Sequence, residues 1–178
     1  MTETVSGLPT AEQLRAVQKP LKDRYKEDPA TALVTSSATA RLAEDGIAAV
    51  VDGTGGQVRA GLHPVAGGDG SEACSADILL EAVAACAGVT LRSVATAMGV
   101  TVRSGEVRAT GTWDARGTLG TDREAPVGLT DVVLEIDLDS DADERTTARL
   151  LEMTERYCVI AQTLRTPPSL TVRPPEGD

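Results

Sequence analysis

One long apolar segment limits the folds open to this chain more than any other feature. The segment SADILLEAVAACAGVTLRSVATAMG runs from Ser75 to Gly99 and predicts a single long helix with a glycine at its C-terminal cap. A helix that is apolar on nearly every face belongs in the middle of the fold, because it has no polar face to expose to water. Asp77 and Glu81 lie one turn apart near its start, where carboxylates suit the helix dipole, and we expect both to be structural.

Composition narrows the class of protein. A length of 178 residues fits one domain with its own core, and the chain has no Phe, one Trp and two Tyr, so that core must be aliphatic. The formal net charge of −10 opposes binding to nucleic acid or to an anionic membrane surface. We expect neither nucleic acid nor a membrane as a partner.

The chain shows no sign of export. No uninterrupted apolar run reaches the roughly 18 to 20 residues that span a bilayer, and the polar start MTETVSGLPT does not resemble a signal peptide. Three cysteines are an odd number in a chain large enough to fold without disulfide bonds. We therefore expect a cytoplasmic protein with reduced thiols.

The remaining pattern predicts an α+β fold. Residues 1–30 form a helical extension with a capping box at Thr10 and a kink or break at Pro20, and residues 31–178 form the main domain. Alternating residues predict strands at 32–43, 47–52, 57–62, 100–113, 129–138 and 169–173, and Ser140 is the predicted cap of a helix at 142–157. We expect antiparallel sheets around the buried helix and a homodimer, because the helix needs more cover than one chain offers.

The cysteines are the residues most suited to chemistry. Cys86 lies in the middle of the apolar helix, where it is either a small hydrophobic residue or a reactive thiol held by a positive partner. Cys158 lies between one helix and the next turn, where backbone N–H groups lower a thiol pKa, although a buried capping residue is the alternative. Cys74 precedes the apolar helix and is treated as incidental.

Three motifs together resemble those of a known family. They are the glycine loop HPVAGG at residues 63–68, the helix SADILLEAVAAC ending at Cys86, and RYCVIAQTL holding Cys158. From about Thr31 to Val172 the chain resembles the osmotically inducible protein C and organic hydroperoxide resistance (OsmC/Ohr) family. The resemblance implies an intertwined homodimer and a peroxidase in which Cys86 attacks an organic hydroperoxide. Cys158 then forms a disulfide with Cys86, and a dithiol reductant restores both thiols.

The resemblance also implies an activating arginine from the first hairpin, where the chain offers Arg41. The family's Pro-Glu pair ahead of the helix is Ser75-Ala76 here, which leaves Asp77 and Glu81 as alternatives for the glutamate. The proline that often follows the second cysteine is Val159. An apolar helix interior without a cation raises the pKa of a thiol.

Two other hypotheses belong to different classes. The first is a non-catalytic family member that binds a small hydrophobic ligand near Cys86. The second is a zinc site made from His63, Cys74 and Cys86, but the intervals of 11 and 12 residues match no compact zinc motif. We therefore predict no metal and no cofactor.

Overall fold

The computed structural model describes residues 7–164, so the predicted strand at 169–173 lies outside the described residues. The fold is α+β with one long central helix, as predicted. The helices are α1 (Ala11–Glu27), α2 (Ser75–Met98), α3 (Ala115–Thr118), α4 (Glu144–Tyr157) and α5 (Val159–Thr163). The strands are β1 (Ala40–Leu42), β2 (Ala48–Gly53), β3 (Gly56–Gly61), β4 (Ala73–Cys74), β5 (Val102–Thr112) and β6 (Thr130–Ser140).

The strands form two separate sheets. The first has the order β1-β2-β3-β4, with antiparallel pairing up to β3 and a parallel β3–β4 pair that sets Ala60 opposite Ala73. The second is the antiparallel β5–β6 pair, in which Val107 lies opposite Ile136. The sequence pattern missed β4, because two residues after a glycine-rich loop are too few to show any period.

The core lies between α2, α4 and the second sheet. Leu91, Val94 and Ala95 of α2 are buried against Leu150 of α4, which is completely buried. Val107 and Ile136 cover this cluster from β5 and β6, since alternate residues of a strand point to the same face. Gly99 ends α2 in the left-handed conformation with φ 74°, as expected for a glycine at that cap.

The opposite side of α2 is not covered by the rest of the described chain. Ala82, Ala85 and Val89 form an exposed stripe along the helix, and Val89 keeps 73% of its surface accessible. Strands β1 to β3 make their main contacts within their own sheet, and Leu42 in β1 is 87% exposed. The central helix is therefore buried on one side only.

By length and composition, α2 is apolar enough to cross a membrane. Its mean hydropathy reaches 1.7 over an 18-residue window. The sequence predicted no spanning segment, because Asp77, Glu81 and Arg92 interrupt the apolar run, although they do not bring the mean hydropathy below this criterion. In the structure α2 packs against β5, α4 and α5, and the core helix of a water-soluble protein meets the same hydropathy criterion.

Several predicted boundaries were wrong. Helix α1 begins after Thr10 with the predicted capping box and is not split at Pro20, which lies inside it and is exposed, while a kink there stays a prediction. The strand predicted at 32–43 is only β1, because residues 33–39 are exposed and have no partner strand. The cap of α4 is Asp143, whose carboxylate accepts from the Thr146 N–H at 2.8 Å, rather than Ser140.

The N-terminal helix packs against the main body rather than standing apart from it. Helix α1 contacts α2, and Leu14 and Tyr25 are among its partly buried residues. The division between residues 1–30 and 31–178 stays a prediction.

Candidate functional site

Cys158 lies at the junction of α4 and α5 and is completely buried. Its N–H donates to the Thr154 carbonyl at 3.0 Å and closes α4, while its own carbonyl accepts from the Gln162 N–H at 3.0 Å and opens α5. The first N–H groups of a helix have no carbonyl partner within that helix. The junction therefore presents several backbone donors beside a thiol.

Cys86 lies on α2 at the border between its buried and exposed sides. Val83 and Ala87 next to it are buried, whereas Ala85 is exposed and Cys86 itself is half-buried. Because α5 packs against α2, Cys86 faces the α4–α5 junction, and the two cysteines lie close enough to shift each other's pKa. The structure thus brings together the two cysteines that the sequence singled out.

The surroundings of Cys86 favour its thiolate. Desolvation is the largest single influence and raises the pKa, but hydrogen bonds from the Ile160 N–H, the Cys158 thiol, the Val159 N–H and the Thr90 hydroxyl together lower the pKa of Cys86 below its ordinary value. Among the residues that the structure describes, the groups that lower this pKa are neutral donors and include no cation.

The pKa of Cys158 is shifted in the opposite direction, upward. Burial raises the pKa of Cys158, a hydrogen bond from the Ala161 N–H opposes that rise, and the neighbouring Cys86 raises it further. The Ile160 N–H contributes to both sulfurs. Of the two sulfurs, Cys86 is therefore the more readily deprotonated.

A cavity of about 600 Å³ opens beside this pair. Its wall is mostly apolar and is built by α2, α4, α5 and β6, with Val83, Leu134, Ile136, Leu151, Cys158 and Leu164 among its residues. Cys158 lies in the wall, but Cys86 does not. The cavity that could hold a hydrophobic ligand is therefore lined by Cys158 and not by the half-buried Cys86. The sequence predicted such a pocket near Cys86.

Arg41 lies on the first sheet, where it forms an exposed ion pair with Asp52 of the next strand. Hydrogen bonds from Arg41 and then Gln57 lower the pKa of Asp52 to about 2. Arg41 is not among the groups that shift the pKa of Cys86. The structure does not bring Arg41 to the two cysteines within one chain, and its catalytic role stays a prediction.

The structure reveals a different arginine–glutamate pair that the sequence analysis missed. Arg59 on β3 donates through Nε to Glu72, three residues ahead of α2, and a second contact reaches Asp45 at 3.2 Å. The parallel β3–β4 pairing brings these two residues side by side, and Gly61 leaves the room that Glu72 occupies, since a Cβ there would lie 1.9 Å from the carboxylate. A glutamate that orients an arginine is therefore present, but not at Ser75-Ala76.

The acidic residues at the start of α2, Asp77 and Glu81, lie at the surface. Asp77 and Glu81 are both exposed, and neither forms an ion pair within residues 7–164. Asp77 lies in the first helical turn, where it suits the dipole as expected. The N-cap position is Cys74, which makes no side-chain capping bond.

His63 and Cys74 do not form a metal site with Cys86. His63 accepts from the Val65 N–H at 3.2 Å and packs edge-on against Trp113 with ring centroids 5.5 Å apart. Cys74 precedes α2 and lies about 18 Å along the helix from Cys86, given 1.5 Å per residue. Among residues 7–164, no three metal-binding side chains are grouped together.

Comparison with known proteins agrees with this geometry. A sequence model of the family described as OsmC-like protein matches residues 68–173, which is more than half of the chain. The chain therefore belongs to the OsmC-like family, as the three motifs indicated. No curated protein sequence matches it closely.

Solved structures show the same fold at low sequence identity. An OsmC-like protein from Mycoplasma pneumoniae is 21% identical with a TM-score of 0.62, and the match covers 74% of this chain and 88% of that one. An OsmC-like protein from Vibrio cholerae is 15% identical with a TM-score of 0.58, covering 74% and 96%. An organic hydroperoxide resistance protein from Legionella pneumophila is 17% identical with a TM-score of 0.51, covering 75% and 90%.

Proposed function

We propose that this chain is a thiol-dependent peroxidase that reduces organic hydroperoxides. The observation that carries the proposal is the proximity of Cys86 and Cys158, in which the half-buried cysteine has the lowered pKa and the fully buried one the raised pKa. A nucleophile must be a thiolate that substrate can reach, whereas a resolving thiol needs only to reach the first sulfur.

In the first step the Cys86 thiolate attacks the terminal oxygen of the hydroperoxide. The O–O bond breaks, the alkoxide takes a proton and leaves as an alcohol, and Cys86 becomes a sulfenic acid. The N–H groups of Val159 and Ile160 hold the sulfur in place while its charge changes.

In the second step Cys158 loses its proton and attacks the Cys86 sulfur. An S–S bond forms, and hydroxide leaves and is protonated to water. Once Cys86 is no longer a thiolate, its charge no longer raises the pKa of Cys158, so oxidation of the first cysteine activates the second. A dithiol reductant then supplies two electrons and two protons and regenerates both thiols.

The active unit that we propose is a cytoplasmic homodimer. The exposed stripe Ala82, Ala85 and Val89 and the uncovered first sheet are the surfaces that a second copy would bury. Cys86 borders that stripe, so a partner's first sheet would approach it. This sheet carries both Arg41 and the Arg59–Glu72 pair, which makes Arg59 a second candidate for the activating cation.

A second candidate function is supported by the cavity. Its apolar wall and volume suit a small hydrophobic molecule, and a family member without peroxidase activity would hold such a ligand beside Cys158. The two functions are separated by an assay of organic hydroperoxide consumption with a dithiol reductant. Turnover that is lost in Cys86→Ser supports the peroxidase, while equal rates with and without wild-type protein contradict it.

A further inference from the structure

Helix α1 carries an unusual distribution of positive charge. All three lysines of the chain, Lys19, Lys22 and Lys26, lie on this helix together with Arg15. Their spacing of four, three and four residues places them along one face, which we call the basic stripe. Residues 1–30 contain equal numbers of basic and acidic side chains, so the net charge of −10 lies entirely in residues 31–178.

The basic stripe is exposed to solvent. Leu14 and Tyr25 of the same helix are partly buried, whereas Arg15, Lys19, Lys22 and Lys26 are all exposed. Lys19 pairs with Asp23 at 2.6 Å. The hydrogen bond from Lys19 is the main cause that lowers the pKa of Asp23, and the charge of Lys26 lowers it further. Within residues 7–164, Arg15 and Lys22 form no ion pair.

The outer face of the β5–β6 sheet carries the complementary charge. Glu106 lies directly opposite Asp137, a like-charge pair that destabilises a sheet unless a cation lies beside it. Arg108 is opposite Glu135 but contacts Glu106 instead, at 3.2 Å. In the part of the chain that the structure describes, Glu135 and Asp137 are exposed and form no ion pair.

The two charged surfaces also match in spacing. Residues four apart on a helix are separated by about 6 Å along its axis, as are Lys22 and Lys26. Residues two apart on a strand are separated by about 7 Å, as are Glu135 and Asp137. Among the described residues of one chain, α1 makes its main contact outside its own segment with α2, so the match is available to a second copy.

We propose that the basic stripe of one copy binds the acidic outer face of β5–β6, formed by Glu106, Glu135 and Asp137, on another copy. This contact is separate from the surfaces assigned above to the homodimer and does not rest on the peroxidase function. Exposed ion pairs are individually weak and are screened by salt, so the association is reversible and depends on ionic strength. Two such contacts made reciprocally would close a symmetric pair.

Sedimentation velocity of the full chain at about 0.01 M and about 0.15 M salt tests the proposal, since the screening length falls from roughly 30 Å to roughly 8 Å between them. The expected result is a weight-average mass about twofold higher at low salt. The double variant Lys22→Glu/Lys26→Glu should lose this increase. Arg24→Glu is the matched control, because Arg24 lies on the far side of the same helix and its replacement should keep the increase.

Exchanging the charges between two variants distinguishes loss of the contact from misfolding of a variant. Neither Lys22→Glu/Lys26→Glu nor Glu135→Lys/Asp137→Lys should associate alone, but their mixture should regain the low-salt increase because the charges are complementary again. A mass that is independent of salt in the wild type, an increase that persists in Lys22→Glu/Lys26→Glu, or a mixture that does not associate would each overturn the proposal.

Discussion

Cys86 and Cys158 are 72 residues apart in sequence but lie close enough for each to shift the pKa of the other, downward at Cys86 and upward at Cys158. Backbone N–H groups at the start of α5 lower both pKa values, but at Cys158 burial and the neighbouring Cys86 outweigh them. Cys86 is therefore the more readily deprotonated of the two. This is the order that the proposed peroxidase requires.

The lowered pKa predicts how pH governs the reactivity of Cys86. Because its pKa is lowered, the thiolate persists below the ordinary thiol pKa, and alkylation of Cys86 slows only as pH falls through the lowered value. Cys158→Ala removes a donor and should raise the pKa of Cys86, so alkylation at neutral pH slows severalfold. Cys158→Ser keeps an O–H donor and should slow it less. Iodoacetamide labelling followed across pH by mass spectrometry measures both, and equal profiles for the two variants would contradict the account.

Val159 provides a test of the backbone donors. It occupies the first position of α5, where proline is well tolerated, and Cys158 before it is extended, with φ −72° and ψ 104°. Val159→Pro removes one N–H from the Cys86 sulfur and should raise the pKa of Cys86 while leaving α5 folded. Val159→Ala, which retains the N–H, is the control. An unchanged labelling profile in Val159→Pro would show that this N–H does not stabilise the thiolate.

The glycine loop before α2 provides a matched pair of substitutions. Gly67 has φ 96° with open space around it, so Gly67→Ala should cost about 1–2 kcal/mol through backbone strain alone. In Gly68→Ala the new Cβ would lie 1.7 Å from the Leu62 carbonyl oxygen, and the backbone must move. We expect Gly68→Ala to lose more unfolding free energy than Gly67→Ala, at or above the roughly 1–3 kcal/mol that overpacking typically costs. Urea unfolding compares the two, and the reverse order would contradict the close approach.

The packing of the core predicts that replacing two neighbouring leucines, Leu150 and Leu151, destabilises the fold to different extents. Leu150 is completely buried against α2, so Leu150→Ala should cost about 2–5 kcal/mol of unfolding free energy. Leu151 is 39% exposed beside the cavity, so Leu151→Ala should cost less than half as much. Urea denaturation measures both values, and similar losses would mean that α4 is rotated relative to the structure.

Much of the fold was predictable from local patterns. The length of α2, its glycine cap and the alternation in β6 all follow from residue periods that single segments carry. The contact between Cys86 and Cys158 was expected from the family resemblance, since two residues so far apart in sequence leave no local signal of their proximity.

The Arg59–Glu72 pair and the backbone donors of α5 were not predictable in this way. The first depends on a parallel pairing only two residues long, which places Arg59 beside Glu72 across a glycine-rich loop. The second depends on where α5 begins relative to α2, and N–H groups are present at every residue except proline. Both are products of tertiary packing rather than of residue type.

The central claim is that Cys86 and Cys158 form one redox pair. Its most direct test is to treat the reduced protein with one equivalent of an organic hydroperoxide and to map the thiols by labelling and mass spectrometry. The account predicts a Cys86–Cys158 disulfide with Cys74 still reduced. Recovery of both thiols unoxidised, or a disulfide that includes Cys74, would contradict it.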